Sequence, residues 1–350
     1  MKLSAYTVAL LEDIEGRIDP EAEDDYQAQW QAFWSDRTDA AVFTPIRRRI
    51  SPPGLALKEI HINDALHDLE LMLDFELELL SKKLAKPSAA LGVRANYGTG
   101  IMTSLFGAPL FEMPRETKTL PTTRSLEDTD EVIRRIEKGI PDLGGGFGGR
   151  VLAFGELCAE VFEKYPKIKK YVSIYHPDTQ GTLDIAELLW GQEMFYAMYD
   201  DEDLVHSVLR GITDTYKAFM DRWYGIVPQR DGLAVHWEIM HKGKILLRLD
   251  SAMNISREFY EAFSKPYDRE LLDYYGGGCM HFCGRGDHYI SSLCEIEGLY
   301  GFNLSQPHLN DMSVILGSAR EQNKKILELK NAKAYAAEYP GKGGILHAKE

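Results

Sequence analysis

Gly276-Gly277-Gly278-Cys279-Met280-His281-Phe282-Cys283-Gly284 is the stretch on which the reading of this chain turns. As a β-strand it sends successive side chains to opposite faces. Cys279, His281 and Cys283 then share one face, and Met280 and Phe282 share the other. Thiolate sulfur and imidazole nitrogen are ligand types that zinc takes, while the second face suits a hydrophobic core. Gly284 and Gly286 let the backbone turn sharply just beyond. A polar face ending at a turn is how an active site looks at the mouth of a parallel barrel. A His-x-Cys pair supplies two of the roughly four ligands zinc needs. The same spacing also fits a buried strand with inert thiols and a hydrogen-bonded histidine, so the surrounding chain has to choose.

The chain has 350 residues, of which 44% are hydrophobic and 27% charged, enough for a large core. Its formal net charge of -14 argues against nonspecific binding to nucleic acid or an anionic membrane, and leaves room for a locally basic pocket. After its single lysine the N-terminus has no long apolar run, and no stretch approaches the ~18 apolar residues of a membrane span. Four cysteines, two of them in one short strand, do not form a disulfide framework. A reducing cytoplasm is the expected location.

Outward from the opening strand, helical and strand patterns alternate. Residues 1–39 read as helical, with Asp19-Pro20-Glu21 as cap, first-turn proline and first-turn acid. Ala40 to Ile46, Leu91 to Tyr97, Lys169 to His176, Leu233 to Met240, Ile245 to Asp250, Tyr300 to Ser305, Ile326 to Leu329 and Gly343 to His347 read as strands. Ser125 is expected to cap a helix, and Gly144 to Gly149 to form a loop. The alternation predicts α/β architecture with parallel strands, and the number of short strands favours a closed barrel. The expectation is an (α/β)8 TIM-type barrel over residues 40–350, with residues 1–39 as an N-terminal helical extension packed on it.

In such a barrel the chemistry collects where strands end. Those ends carry Arg47 and Arg49, Asn96 and Tyr97, His176 and Asp178, His236 and Glu238, Asp250, His281 and Cys283, Asn303 and His308, and His347. Arg47 and Arg49 could grip a carboxylate or phosphate; a solvated basic turn explains them equally well. As one strand, Leu233 to Met240 puts His236, Glu238 and Met240 on one face, with Glu238 a metal ligand or general base. Asp250 closes an apolar strand, where a carboxylate serves function rather than stability. We assign Asp250, Glu238 and His236 to catalysis, and Arg47, Arg49, Tyr97, His176 and Asn303 to substrate binding.

Three segments resemble the uroporphyrinogen decarboxylase superfamily. Asp178-Thr179-Gln180-Gly181-Thr182-Leu183 through Gly191-Gln192-Glu193 and Asp201-Glu202-Asp203-Leu204-Val205-His206 is similar to one family segment. Asp250 with Ser256 to Phe263 and Pro266-Tyr267 is similar to another. His281-Phe282-Cys283-Gly284 resembles the His-x-Cys-Gly of the zinc-dependent methyltransferase branch. The resemblance covers most of the chain from about Ala40 and implies the same barrel. Arg47-Arg48-Arg49-Ile50 stands where true decarboxylases have Arg-Gln-Ala-Gly-Arg-Tyr, and Tyr97-Gly98-Thr99-Gly100 lacks their acid. The methyltransferase branch holds zinc with His-x-Cys and a C-terminal cysteine, which this chain lacks; His347 stands nearest that place.

The resemblance therefore implies zinc on His281 and Cys283. His347 is assigned as the further ligand, with Glu238 or Cys279 as alternatives. Cys279 lies about 6.6 Å deeper than His281 along a strand. The implied reaction moves a methyl group from a methylated corrinoid on a partner protein to a small-molecule thiol, with a homodimer as the expected assembly. A metal-free decarboxylase, with Arg47 and Arg49 on the carboxylate and Asp250 stabilising developing charge, is the alternative. A non-catalytic corrinoid- or tetrapyrrole-binding protein is the third.

Overall fold

A computed structural model describes residues 2–38, 40–340 and 344–349. Among these the strands run, in chain order, β1 (Val42–Phe43), β2 (Gly92–Val93), β3 (Leu110–Phe111), β4 (Thr122–Thr123), β5 (Ser173–Ile174), β6 (Ala234–His236), β7 (Ile239–His241), β8 (Ile245–Arg248), β9 (Gly278–Phe282), β10 (Leu299–Leu304), β11 (Lys325–Leu329) and β12 (Leu346–Ala348). Gly343, expected to open the last strand, lies outside the described residues. One parallel sheet of six strands has the order β1-β12-β11-β10-β9-β8, and β2 pairs with β5 in a second parallel ladder. Helices connect these strands, so the chain is an α/β protein. Among the described residues no ladder joins the two sheets. At that gap the Leu246 N–H donates to His176 Nε2 (2.9 Å), a ring nitrogen acting where a strand carbonyl would.

Alternation along β9 sorts two cores. Met280 and Phe282 join the large cluster packed with the helices, whereas Cys279 joins a smaller cluster with Phe43, Leu246 and Leu327. Tyr26, Trp30 and Phe33 of the helix Pro20–Trp34 pack into that smaller cluster. Asp19 caps this helix by accepting from the Glu21 and Ala22 N–H groups, with Pro20 in the first turn. Phe33 is fully buried there, and burying a ring of that size contributes about 1.5–3 kcal/mol. The helix Pro20–Trp34 is thus part of the inner packing.

Several local expectations are corrected. Residues 233–240 are not one strand. They fold back as the antiparallel hairpin β6–β7, turning at Trp237-Glu238. His236, Glu238 and Met240 therefore do not share a strand face. Asp128, not Ser125, caps the helix Thr129–Glu137. The glycine run opens the helix Gly146–Phe162 instead of forming a loop. A Cβ on Gly148 would lie 2.4 Å from Leu105 Cδ2, so its small size lets two helices meet. Residues 166–171 form a helix that starts on Pro166, leaving β5 shorter than expected.

Candidate metal centre

Two neighbouring strands build the centre in the same way. β8 ends on Arg248 with Asp250 two residues on, and β9 carries His281 with Cys283 two residues on. Arg248 lies beside His281 in register, His281 beside Asn303, and Asn303 beside Leu327. This row fixes the histidine's chemistry. Asn303 Nδ2 donates to the Leu327 carbonyl (2.8 Å), which turns Asn303 Oδ1 toward His281 Nδ1 at 2.5 Å. The ring proton then sits on Nδ1, and Nε2 presents its lone pair. Nε2 is 3.3 Å from Cys283 Sγ and 3.5 Å from Asp250 Oδ1. One ligand atom from each of Asp250, His281 and Cys283 lies within 4.8 Å of the others.

The surrounding backbone holds this arrangement. Asp250 Oδ1 also accepts from the Cys283 N–H at 2.8 Å. Buried Asp184 accepts from the Asp250 N–H (2.9 Å) and the Ser251 N–H (2.8 Å) and so pins the loop. Gly284 turns the chain with φ +72°, and a Cβ there would lie 2.4 Å from Met253 Sδ. Burial, and then the Arg248 guanidinium, push the His281 imidazole below its ordinary range against the opposing pull of Asp250. The ring is neutral near pH 7, as a metal ligand must be. Burial, and then Asp250, push the Cys283 thiol up to about 11.

These groups fit zinc. Ordinary zinc bond lengths in a tetrahedron place N and S about 3.6 Å apart and N and O about 3.4 Å apart, against the 3.3 and 3.5 Å found here. A ligating histidine characteristically gives its other N–H to an oxygen acceptor, as His281 gives Nδ1–H to Asn303.

A cavity of about 470 Å³ adjoins the centre, lined by Arg94, Trp237, Glu238, His281, Asn303 and Glu328 among others. Trp237 has φ +52°. That left-handed conformation is strained for a residue of this size, at about 1–3 kcal/mol. Its carbonyl accepts from Lys83 Nζ, and the Glu238 carbonyl accepts from the Ala90 N–H. The held turn sets the indole 5.1 Å from the His281 ring and under the Arg248 guanidinium at 4.2 Å. Arg248 Nη2 reaches Asp178 (3.0 Å) and His236 Nε2 (3.0 Å). Burial opposes ionisation of Asp178, yet Arg248 and Arg94 hold its carboxyl below the ordinary value. A second cavity, of about 490 Å³, opens where strands begin, beside Val235, Lys244, Gly276 and Tyr300, and includes none of Asp250, His281 and Cys283.

The expected site residues divide accordingly. Asn303 and Glu238 line the cavity with His281. His236 supports Arg248, and His176 bonds backbone. Tyr97 is buried against Phe147 (5.7 Å) and does not line the cavity. Arg47 is buried on Glu23 (2.5 Å) and on the Lys86 and Ala89 carbonyls, so it ties the helix Pro20–Trp34 down instead of gripping substrate. Exposed Arg49 pairs with Asp19 (2.6 Å). His347 is not with His281 and Cys283. Its Nδ1 accepts from the Glu328 N–H (3.0 Å), and its ring lies tilted against Trp30 (4.7 Å); the third group gathered with His281 and Cys283 is Asp250. Cys279 is buried below, in the smaller core.

The sequence reading missed Arg94, Arg248, Trp237, Glu328 and Asp184. Arg248 and Glu328 did leave a signal, since each is a lone charge inside an apolar strand. Trp237 left none. No protein-family model matches the chain, and no curated protein matches it. Among solved structures it is similar to a methyltransferase from Methanosarcina mazei, with a TM-score of 0.61 and 14% identity over 93% of this chain and 92% of that one. At that identity the likeness shows a shared fold.

Proposed function

We propose that this chain is an enzyme of the uroporphyrinogen decarboxylase superfamily, close to its zinc-dependent methyltransferase branch. In this reading the two parallel ladders close as one barrel over residues 40–350, carrying residues 1–39 as a helical extension. The reaction moves a methyl group from a methylated corrinoid, brought by a partner protein to the barrel mouth, onto a thiol acceptor. The carrying observation is His281, with Nδ1 on Asn303 and Nε2 facing Cys283 Sγ and Asp250 Oδ1. The likeness to a methyltransferase supports it. Asp250, His281 and Cys283 would hold zinc, which would supply the Lewis acidity for a thiol acceptor to ionise near neutral pH.

The chain's own groups do the positioning. Asn303 holds the His281 tautomer. Asp184 fixes the Asp250 loop, and Trp237 walls the centre against bulk water. The metal-free decarboxylase reading loses Arg47 and Arg49 as its grip, because both are engaged with the helix Pro20–Trp34 and its cap.

Metal analysis of the purified protein tests the proposal. Stoichiometric zinc is expected in the native chain, with its loss in His281→Ala and in Cys283→Ala. Metal-free native protein, or metal indifferent to both changes, refutes it. Demethylation of free methylcobalamin by a thiol, abolished by a chelator, is the matching activity.

A further inference from the structure

Resting on the methyl-transfer reading, we propose that the acceptor is a small zwitterionic thiol, carrying an ammonium and a carboxylate besides its sulfur. The wall of the cavity beside His281 carries both signs of charge: Glu76, Glu238 and Glu328 against Lys83, Arg94 and Lys349. Lys83 and Glu76 are held by buried hydrogen bonds, and Arg94 lies 3.7 Å from Asp178. Lys83 Nζ donates to the Gly92 and Trp237 carbonyls, and Glu76 accepts from the Arg94 N–H and Asn96 Nδ2. Glu238 and Glu328 answer only to half-exposed lysines, Lys86 at 2.8 Å and Lys349 at 3.7 Å. An ammonium is the group that this pair of carboxylates attracts.

Two unpartnered polar atoms sharpen the choice. Asn96 lines the cavity and is 5% exposed, and its Oδ1 has no hydrogen-bond partner. Its Nδ2 donates to Glu76 Oε1 (3.2 Å), so the amide cannot turn over. That oxygen calls for a donor, which an ammonium supplies. Arg248, 3% exposed, stands behind the lining residues Trp237 and His281 and not in the cavity wall itself, and its Nη1 has no partner. That nitrogen calls for an acceptor, which a carboxylate supplies. A thiol bearing only a negative group leaves Asn96 Oδ1 unpaired and meets Glu238 and Glu328. A thiol bearing only a positive group meets Arg94 and gives neither guanidinium an acceptor. A zwitterion satisfies both ends while its sulfur faces His281 and Cys283.

The full chain loaded with Co(II) reports thiol binding through the sulfur-to-cobalt charge-transfer band. The probes are L-homocysteine, L-cysteine, 3-mercaptopropionate, cysteamine and 2-mercaptoethanesulfonate. At least one of the two amino acids should bind about tenfold or more tightly than every single-charge thiol. Glu328→Gln and Glu238→Gln, both close in shape to the native side chain, should erase about tenfold of that preference, weakening the amino-acid thiols while leaving 3-mercaptopropionate no weaker than before. Single-charge thiols that perturb the band at equal or lower concentration overturn this proposal and leave the methyl-transfer reading standing. A chain that takes up no cobalt, or whose band no thiol perturbs, overturns both.

Discussion

Asn303→Leu separates a built metal centre from a fortuitous contact between a thiol and an imidazole. The replacement is close in shape but removes both bonds of the amide, Oδ1 to His281 Nδ1 (2.5 Å) and Nδ2 to the Leu327 carbonyl (2.8 Å). Without its acceptor the His281 ring has no reason to keep the proton on Nδ1. In the competing tautomer the Nε2–H points at Cys283 and Asp250 and blocks ligation. Loss of such a partner weakens metal binding by about 10–100-fold, or about 1.4–2.8 kcal/mol. The stranded Leu327 carbonyl costs a further ~1–3 kcal/mol of fold stability, and this part persists without metal. Two assays separate the terms: zinc competition against a chromophoric chelator, and urea unfolding of the metal-free protein. Asn303→Asp, whose carboxylate still accepts from Nδ1, should retain most of the affinity. If folded Asn303→Leu binds zinc within threefold of the native chain, the tautomer argument is wrong.

Metal affinity should rise with pH. The Cys283 thiol, held at about 11, is protonated near neutrality, so binding must expel its proton; Kd should fall about tenfold per unit between about pH 7 and 9. Calorimetry in two buffers of different ionisation heat measures the released proton, and a flat Kd contradicts the assignment of Cys283. Arg47→Met leaves Glu23 buried and unpaired and should cost about 3–5 kcal/mol in urea unfolding. Its zinc affinity should be unchanged, and adding Glu23→Gln should recover much of the stability. Burial lifts buried Asp268 to about 8, above the unfolded value of about 3.9. A group raised in this way favours the fold below about pH 4 and loses that contribution as pH rises through about 8, because the unfolded state then binds fewer protons. Thermal melts should therefore fall with pH across that window, and Asp268→Asn should flatten the fall.

What the sequence revealed and what it hid follow from how far apart the determining contacts lie. The two faces of β9 were legible because thiols and imidazole alternate with Met280 and Phe282, a contrast local to five residues. The three arginines were not. Arg47, Arg48 and Arg49 pair with Glu23, Asp25 and Asp19 respectively, on partners more than twenty residues away in the helix Pro20–Trp34 and its cap. The hairpin was hidden for another reason. Trp237-Glu238 has none of the usual turn residues, so the run from Leu233 to Met240 looks like one strand. Tertiary contacts fold it back: Lys83 and Ala90 hold its tip carbonyls, and Trp34 Nε1 donates to the Met240 carbonyl (3.0 Å).

The centre itself lies between these cases. Arg248-x-Asp250 and His281-x-Cys283 are the same device used twice, a polar pair at period two where an apolar strand ends. Each pair is visible alone. Their meeting depends on β8 and β9 being neighbours in register, with Arg248 level with His281, so that Asp250 and Cys283 come together one step above. That explains why the sequence suggested Asp250 for catalysis without placing it beside His281 and Cys283, while His347 was assigned on its position near the C-terminus. Adjacency of strands decides ligand sets, and adjacency is carried by the whole sheet rather than by any one motif.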